Sequence, residues 1–159
     1  MLKGILLSLR PRQWIKNFII FAALLFGGKY MEAGALARTG LVFVFFCLLA
    51  GGGYLVNDVS DIEKDRLHPQ KKGRPVAAGL VPKGAALASG LALMAIGVLG
   101  CFLLDPLTGL VGGCYLVLGL LYTSWLKKVV LLDVLAIAAA FVLRAIAGAT
   151  AIKDRKSVV

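Results

Sequence analysis

Leu41-Val-Phe-Val-Phe-Phe-Cys-Leu-Leu-Ala50 runs straight into Gly51-Gly-Gly-Tyr-Leu-Val-Asn57-Asp58-Val-Ser-Asp61-Ile-Glu63-Lys-Asp65-Arg66. The first part has no polar face to offer water. From residue 36 to residue 56 the one charge is Arg38. A segment of roughly 20 mostly apolar residues is what an α-helix needs to cross a bilayer. The second part turns abruptly acidic, as if the chain had reached the membrane boundary.

The same signature recurs on either side. Residues 14–28, 84–104, 107–125 and 130–152 complete a set of five expected spans. The expected fold class is therefore all-α, a polytopic transmembrane helical bundle. Composition agrees: 60% of the 159 residues are hydrophobic and the mean hydropathy is +0.89. Soluble domains are ordinarily about 45–50% apolar, and one this short could not hide the excess. The 19 glycines suit membrane helices, whose backbones pack closely through small residues.

The net charge is +10, but the cations sit between apolar runs rather than along a solvated face. That distribution argues for a bilayer and an anionic substrate and against a nucleic-acid partner. Lys3, Arg10, Arg12 and Lys16 precede the first span. Lys64, Arg66, Lys71, Lys72, Arg74 and Lys83 fill the loop between the second and third. Lys127 and Lys128 separate the fourth and fifth. The opposite side has only Lys29 and Arg38. By the positive-inside rule the amino terminus and the long loop face the cytoplasm. The first apolar run lacks a small-residue cleavage site, so it reads as a retained span. Cys47, Cys101 and Cys114 lie in apolar segments without paired spacing and read as packing residues.

Asn57, Asp58, Asp61 and Asp65 stand at i, i+1, i+4 and i+8, near one face of a helix. Like charges so placed repel unless something neutralises them. An oxygen-seeking divalent cation does so, and Mg²⁺ is usually held by one or two carboxylates with substrate phosphates completing its shell. Asn57, Asp58, Asp61 and Asp65 are thus the expected metal-binding residues, with Asp58 and Asp61 the expected catalytic positions. The plain alternative is a solvated helix end with surface pairs among Glu63, Lys64 and Arg66. Next comes His68-Pro-Gln-Lys71-Lys72-Gly73-Arg74-Pro75. Lys71, Lys72 and Arg74 can take phosphate oxygens that a metal leaves uncovered. His68, followed by Pro69, reads chiefly as a turn residue.

Asn57-Asp-Val-Ser-Asp61-Ile-Glu-Lys-Asp65 resembles the N-D-x-x-D-x-x-x-D motif of the UbiA superfamily of intramembrane prenyltransferases. Three further stretches resemble its phosphoribosyl-transferring branch: Leu9-Arg-Pro-Arg-Gln-Trp14-Ile-Lys16-Asn17, the run from Asp65 to Gly79, and the run from Leu132 to Gly148. The resemblance covers residues 9–152. It implies a nine-helix bundle around a central cavity, of which this chain supplies about five helices. It implies transfer of 5-phosphoribosyl from phosphoribosyl diphosphate to decaprenyl or another polyprenyl phosphate, with loss of diphosphate, for cell-wall arabinan synthesis. The alternative within the superfamily is an aromatic prenyltransferase using a prenyl diphosphate. Outside it, the alternative is a non-catalytic transporter or scaffold. Self-association is left open.

The resemblance also makes Lys16, Lys127 and Arg144 substrate-binding candidates. For Lys16 the alternative is snorkelling to the interface. For Lys127 it is a topological anchor. Arg144 lies mid-span, where a lone charge costs about 2.5–3.5 kcal/mol, so it is expected to face inward, toward Asp133 or a substrate anion. The superfamily has a second aspartate-rich motif that this chain does not show, since the acids after Lys83 are only Asp105, Asp133 and Asp154. Asp154-Arg-Lys-Ser-Val-Val159 reads as adapter-derived sequence. Residues 1–152 are then expected to be the amino-terminal part of a longer protein, inactive by themselves, with 153–159 a tail.

Overall fold

The computed structural model describes residues 1–153, so the reading of the final six residues lies outside it. The described residues contain helices and turns alone. They are α1 (Leu2–Ser8), a 3₁₀ segment (Pro11–Phe21), α2 (Ala22–Phe26), α3 (Ala33–Ser60), α4 (Ile62–Leu67), α5 (Lys83–Leu104), α6 (Pro106–Ser124), a 3₁₀ turn (Leu126–Lys128) and α7 (Val130–Ala151).

Four of these, α3, α5, α6 and α7, are long and apolar enough to cross a membrane. They match the second to fifth expected spans to within a few residues. The first expected span is corrected. Residues 14–28 are not one α-helix; they lie in the 3₁₀ segment, α2 and the turn that follows. A 3₁₀ helix rises about 2.0 Å per residue against 1.5 Å for an α-helix. This stretch is therefore longer than its residue number suggests.

α3 is the hub. Half of its most apolar window is buried inside the protein, compared with 17% for α7. It packs against α5, α6, α7 and the 3₁₀ segment. Glycines set how closely α5 approaches it. A Cβ at Gly52 would stand 2.6 Å from the Gly90 carbonyl oxygen, and one at Gly97 would stand 2.9 Å from that of Phe45. Small residues at such crossings replace side-chain burial as the means of association in lipid. α5 and α6 form a tight hairpin for a local reason: Asp105 caps α6, accepting from the Leu107 and Thr108 amides at 2.9 and 3.1 Å, and Pro106 occupies the first turn.

The acidic motif sits where α3 ends. Ser60 closes the helix, and Asp61 (φ −102°, ψ 9°) links it to α4. The i→i−4 bonds continue across the junction, from the Asp61 amide to Asn57 and from the Asp65 amide to Asp61. The helical register of the four side chains is thereby kept.

Candidate functional site

A cavity of about 500 Å³ opens between the 3₁₀ segment, α3, α6 and α7. Six cationic side chains line it, Arg10, Lys16, Lys71, Arg74, Lys127 and Arg144, against one carboxylate, Asp61. A low-dielectric wall with that imbalance concentrates anions.

The four expected metal-binding side chains do not converge on one point. At 100° per residue, Asn57 and Asp61 lie about 40° apart on the helix and Asp58 and Asp65 about 20° apart, forming two adjacent stripes. The structure uses the stripes differently. Asn57 and Asp61 face the cavity. The Lys127 ammonium donates to Asn57 Oδ1 at 2.9 Å and to the two Asp61 oxygens at 2.8 and 2.7 Å. Asp58 and Asp65 are buried behind them, 1% and 3% exposed. Asp58 Oδ1 pairs with Arg10 and lies 3.3 Å from Arg74 Nη1, which also meets Asp65 Oδ2 at 2.7 Å. Like charges at helical spacing are thus neutralised by cations from distant segments.

Arg10 was not singled out by its residue type in the sequence. Its backbone is left-handed (φ 51°, ψ 62°), uncommon for a residue with a side chain and restricted further by the following Pro11. Such strain costs on the order of 1–3 kcal/mol and persists where surroundings over-determine it. Here the fixing contacts are the Asp58 carboxylate and the Tyr54 ring, whose centroid is 4.9 Å from the guanidinium carbon. The signal available in the sequence was an arginine directly before Pro11, within Leu9-Arg-Pro-Arg-Gln-Trp14. Tyr54, Tyr115 and Tyr122, also on the cavity wall, gave no signal beyond their hydropathy.

The basic loop is split. Arg74 reaches the acidic motif and, with Lys71, lines the cavity, whereas Lys72 does not. The loop is held by Arg66, whose Nε donates to the Ala77 carbonyl at 3.1 Å. Arg66 also makes the anticipated surface pair with Glu63, at 3.6 Å. His68 accepts from the Gln70 amide at Nδ1, 3.2 Å away, which is a turn contact. Lys16 is exposed at the cavity rim.

Arg144 faces inward as expected, but the suggested pairing with Asp133 is corrected. Eleven residues of helix separate their Cα atoms by about 16 Å, so a shared face does not bring them together. Arg144 donates instead from Nε to Asn17 Oδ1 and from Nη2 to the Tyr115 hydroxyl, both at 2.7 Å.

A divalent cation fits part of this site. Among the described residues, no group of three or more His, Cys, Asp or Glu side chains could hold a metal ion. Asn57 and Asp61 nevertheless aim three hard oxygen atoms at one point, where the Lys127 ammonium already stands as a cation. Two protein ligands completed by phosphate oxygens is an ordinary Mg²⁺ arrangement.

These features define a polytopic helical membrane protein with a cavity lined by six cationic side chains and one carboxylate. The chain belongs to the UbiA prenyltransferase family, whose model matches residues 17–157. It is 40% identical over 154 residues to the decaprenyl-phosphate phosphoribosyltransferase of Mycobacterium tuberculosis, covering 94% of this chain and 51% of that protein. It is 38% identical over 152 residues to the protein of the same name from Corynebacterium glutamicum, covering 93% and 46%. The chain therefore spans about half the length of these relatives. In fold it matches the structure of a UbiA homolog from Archaeoglobus fulgidus bound to GPP and Mg²⁺, with a TM-score of 0.81 at 22% identity, covering 98% of this chain and 56% of that one.

Proposed function

We propose that this chain carries the donor site of a membrane transferase that moves a 5-phosphoribosyl group from phosphoribosyl diphosphate to decaprenyl or another polyprenyl phosphate, releasing diphosphate. The observation that supports this most is the Asn57–Asp61–Lys127 cluster, which opens into a cavity with six cations and one carboxylate. The choice of a phosphoribosyl donor is supported by likeness to the mycobacterial and corynebacterial relatives.

In this reading Asn57 and Asp61 hold Mg²⁺ together with the donor's diphosphate. Bound there, the ion supplies Lewis-acid stabilisation of charge growing on the leaving group. Lys127, Lys71 and Arg74 bind the remaining phosphate oxygens. Asp58 and Asp65, expected as metal ligands, instead act as buried anchors that fix Arg10 and Arg74 at the cavity wall. Fixed cations stabilise developing anionic charge without reorganising. Lys16 at the rim meets the acceptor phosphate as it arrives from the lipid. The cavity mouth faces the cytoplasm across the plasma membrane, as the loop charges indicate.

The test is transfer by the full-length protein in membranes, offered labelled phosphoribosyl diphosphate with decaprenyl phosphate, and separately labelled geranyl diphosphate with an aromatic acceptor. Label in a lipid-linked phosphoribose is the expected result. Prenylation of the aromatic ring, with no transfer of phosphoribose, contradicts the proposal.

A further inference from the structure

Every carboxylate of the acidic motif is matched by a cation, Asp58 by Arg10 and Arg74, Asp65 by Arg74, and Asp61 by Lys127. Arg144 is matched by none of them. It is 5% exposed and lies fourteen residues into α7, about 21 Å along the helix. Its hydrogen-bond partners, Asn17 Oδ1 and the Tyr115 hydroxyl, are neutral. So are the rings of Tyr115 and Phe141, whose centroids lie 4.9 and 5.3 Å from the guanidinium carbon. A guanidinium has five N–H donors in a rigid fork, so donors remain beyond the two used here. A buried charge is normally paired with an opposite one. Among the described residues Arg144 makes no ion pair, yet it lines the cavity. Asn17, itself 1% exposed, and Tyr115 fix the orientation of the fork.

We infer that Arg144, oriented by Asn17 and Tyr115, forms a second anion subsite at the cavity floor that takes a phosphate monoester, separate from the diphosphate subsite at Asn57, Asp61 and Lys127. This rests on the proposed donor and deepens it. Phosphoribosyl diphosphate carries two anionic groups, a diphosphate and a 5-phosphate, so it needs two cationic subsites. A prenyl diphosphate carries one. The polyprenyl phosphate acceptor also ends in a phosphate monoester, and guanidinium forks suit that group equally.

The experiment uses the full-length protein in nanodiscs and three probes: ribose 5-phosphate, farnesyl phosphate, and inorganic diphosphate with Mg²⁺. Arg144→Gln is expected to weaken binding of one monoester by about tenfold or more, in line with the loss of a charge-assisted contact, while diphosphate affinity stays within about twofold. Tyr115→Phe, which keeps the ring and removes the hydroxyl, should weaken the same monoester several-fold, and it decides the matter if Arg144→Gln does not fold. A response confined to ribose 5-phosphate assigns the subsite to the donor, and one confined to farnesyl phosphate assigns it to the acceptor. Unchanged binding of both monoesters, or parallel loss of diphosphate binding, overturns the inference. Failure of the proposed function reads out separately, as diphosphate binding that is indifferent to Asp61→Asn.

Discussion

Lys127 and Asp61 are 66 residues apart in the chain, yet the ammonium of one lies 2.7 and 2.8 Å from the two carboxylate oxygens of the other. The contact joins the C-terminal end of α3 to the turn before α7 and places a cation where Asn57 also points. It makes the acidic motif a cavity wall rather than a solvated helix end.

Lys127→Met removes that cation while keeping most of the side chain's length. Loss of a positioned electrostatic group at an active site costs about 10²–10³ in turnover. The expected outcome is a fall of this size in kcat/KM for the phosphoribosyl donor with the protein still folded, measured by steady-state transfer in membranes. Lys72→Met, outside the cavity wall, should leave kcat/KM within about twofold, a change under 0.5 kcal/mol.

Asp58 and Asp61 differ in kind, although both were expected to be catalytic. The Asp58 side chain is 2% exposed and faces two arginines, whereas that of Asp61 is 17% exposed and borders the cavity. Removing one partner of a buried ion pair typically costs about 3–5 kcal/mol. Asp58→Ala should therefore lower the thermal unfolding temperature clearly, while Asp61→Ala should leave it nearly unchanged and abolish transfer. Melting curves and activity on the same nanodisc preparations separate the two.

Gly148 sets the distance between α7 and the 3₁₀ segment. A Cβ there would run into the Ile20 backbone carbonyl, which cannot rotate away. Overpacking of this kind costs about 1–3 kcal/mol, and here it would also displace Arg144, one turn earlier on α7. Gly148→Ala is expected to destabilise the protein and weaken substrate binding. Gly113→Ala, with nothing within 4 Å of the added atom, should do neither.

Orientation is testable by labelling. Cysteine placed at Lys72 should react with an impermeant maleimide only from the cytoplasmic side, and cysteine at Arg38 only from the opposite side. The reverse pattern would invert the topology that the loop charges predict.

The α3, α5, α6 and α7 spans were legible because uninterrupted apolar runs admit few alternatives, and their ends were marked by Asp105-Pro106 and by the basic turns. The stretch 14–28 was misread because hydropathy reports an apolar composition and not backbone pitch: Ile15, Phe18 and Leu25 are exposed apolar side chains whichever helix type carries them. The composition of the site was legible in Asn57-Asp58-Val-Ser-Asp61 and in the basic loop. Helical spacing separates the two stripes, but which one faces the cavity and which one anchors depends on where Arg10, Arg74 and Lys127 arrive from other parts of the chain. Arg144 was recognisable as inward-facing from its cost in lipid. Its partners, Asn17 and Tyr115, lie 127 and 29 residues away and left no local trace.

The central claim is that Asn57 and Asp61 grip a divalent cation carrying diphosphate. Calorimetric titration of inorganic diphosphate into the full-length protein, with Mg²⁺ and with chelator, tests it most directly. The account predicts Mg²⁺-dependent binding that weakens about tenfold or more in Asp61→Asn. Equal affinity with and without Mg²⁺, unaltered by Asp61→Asn, would contradict it.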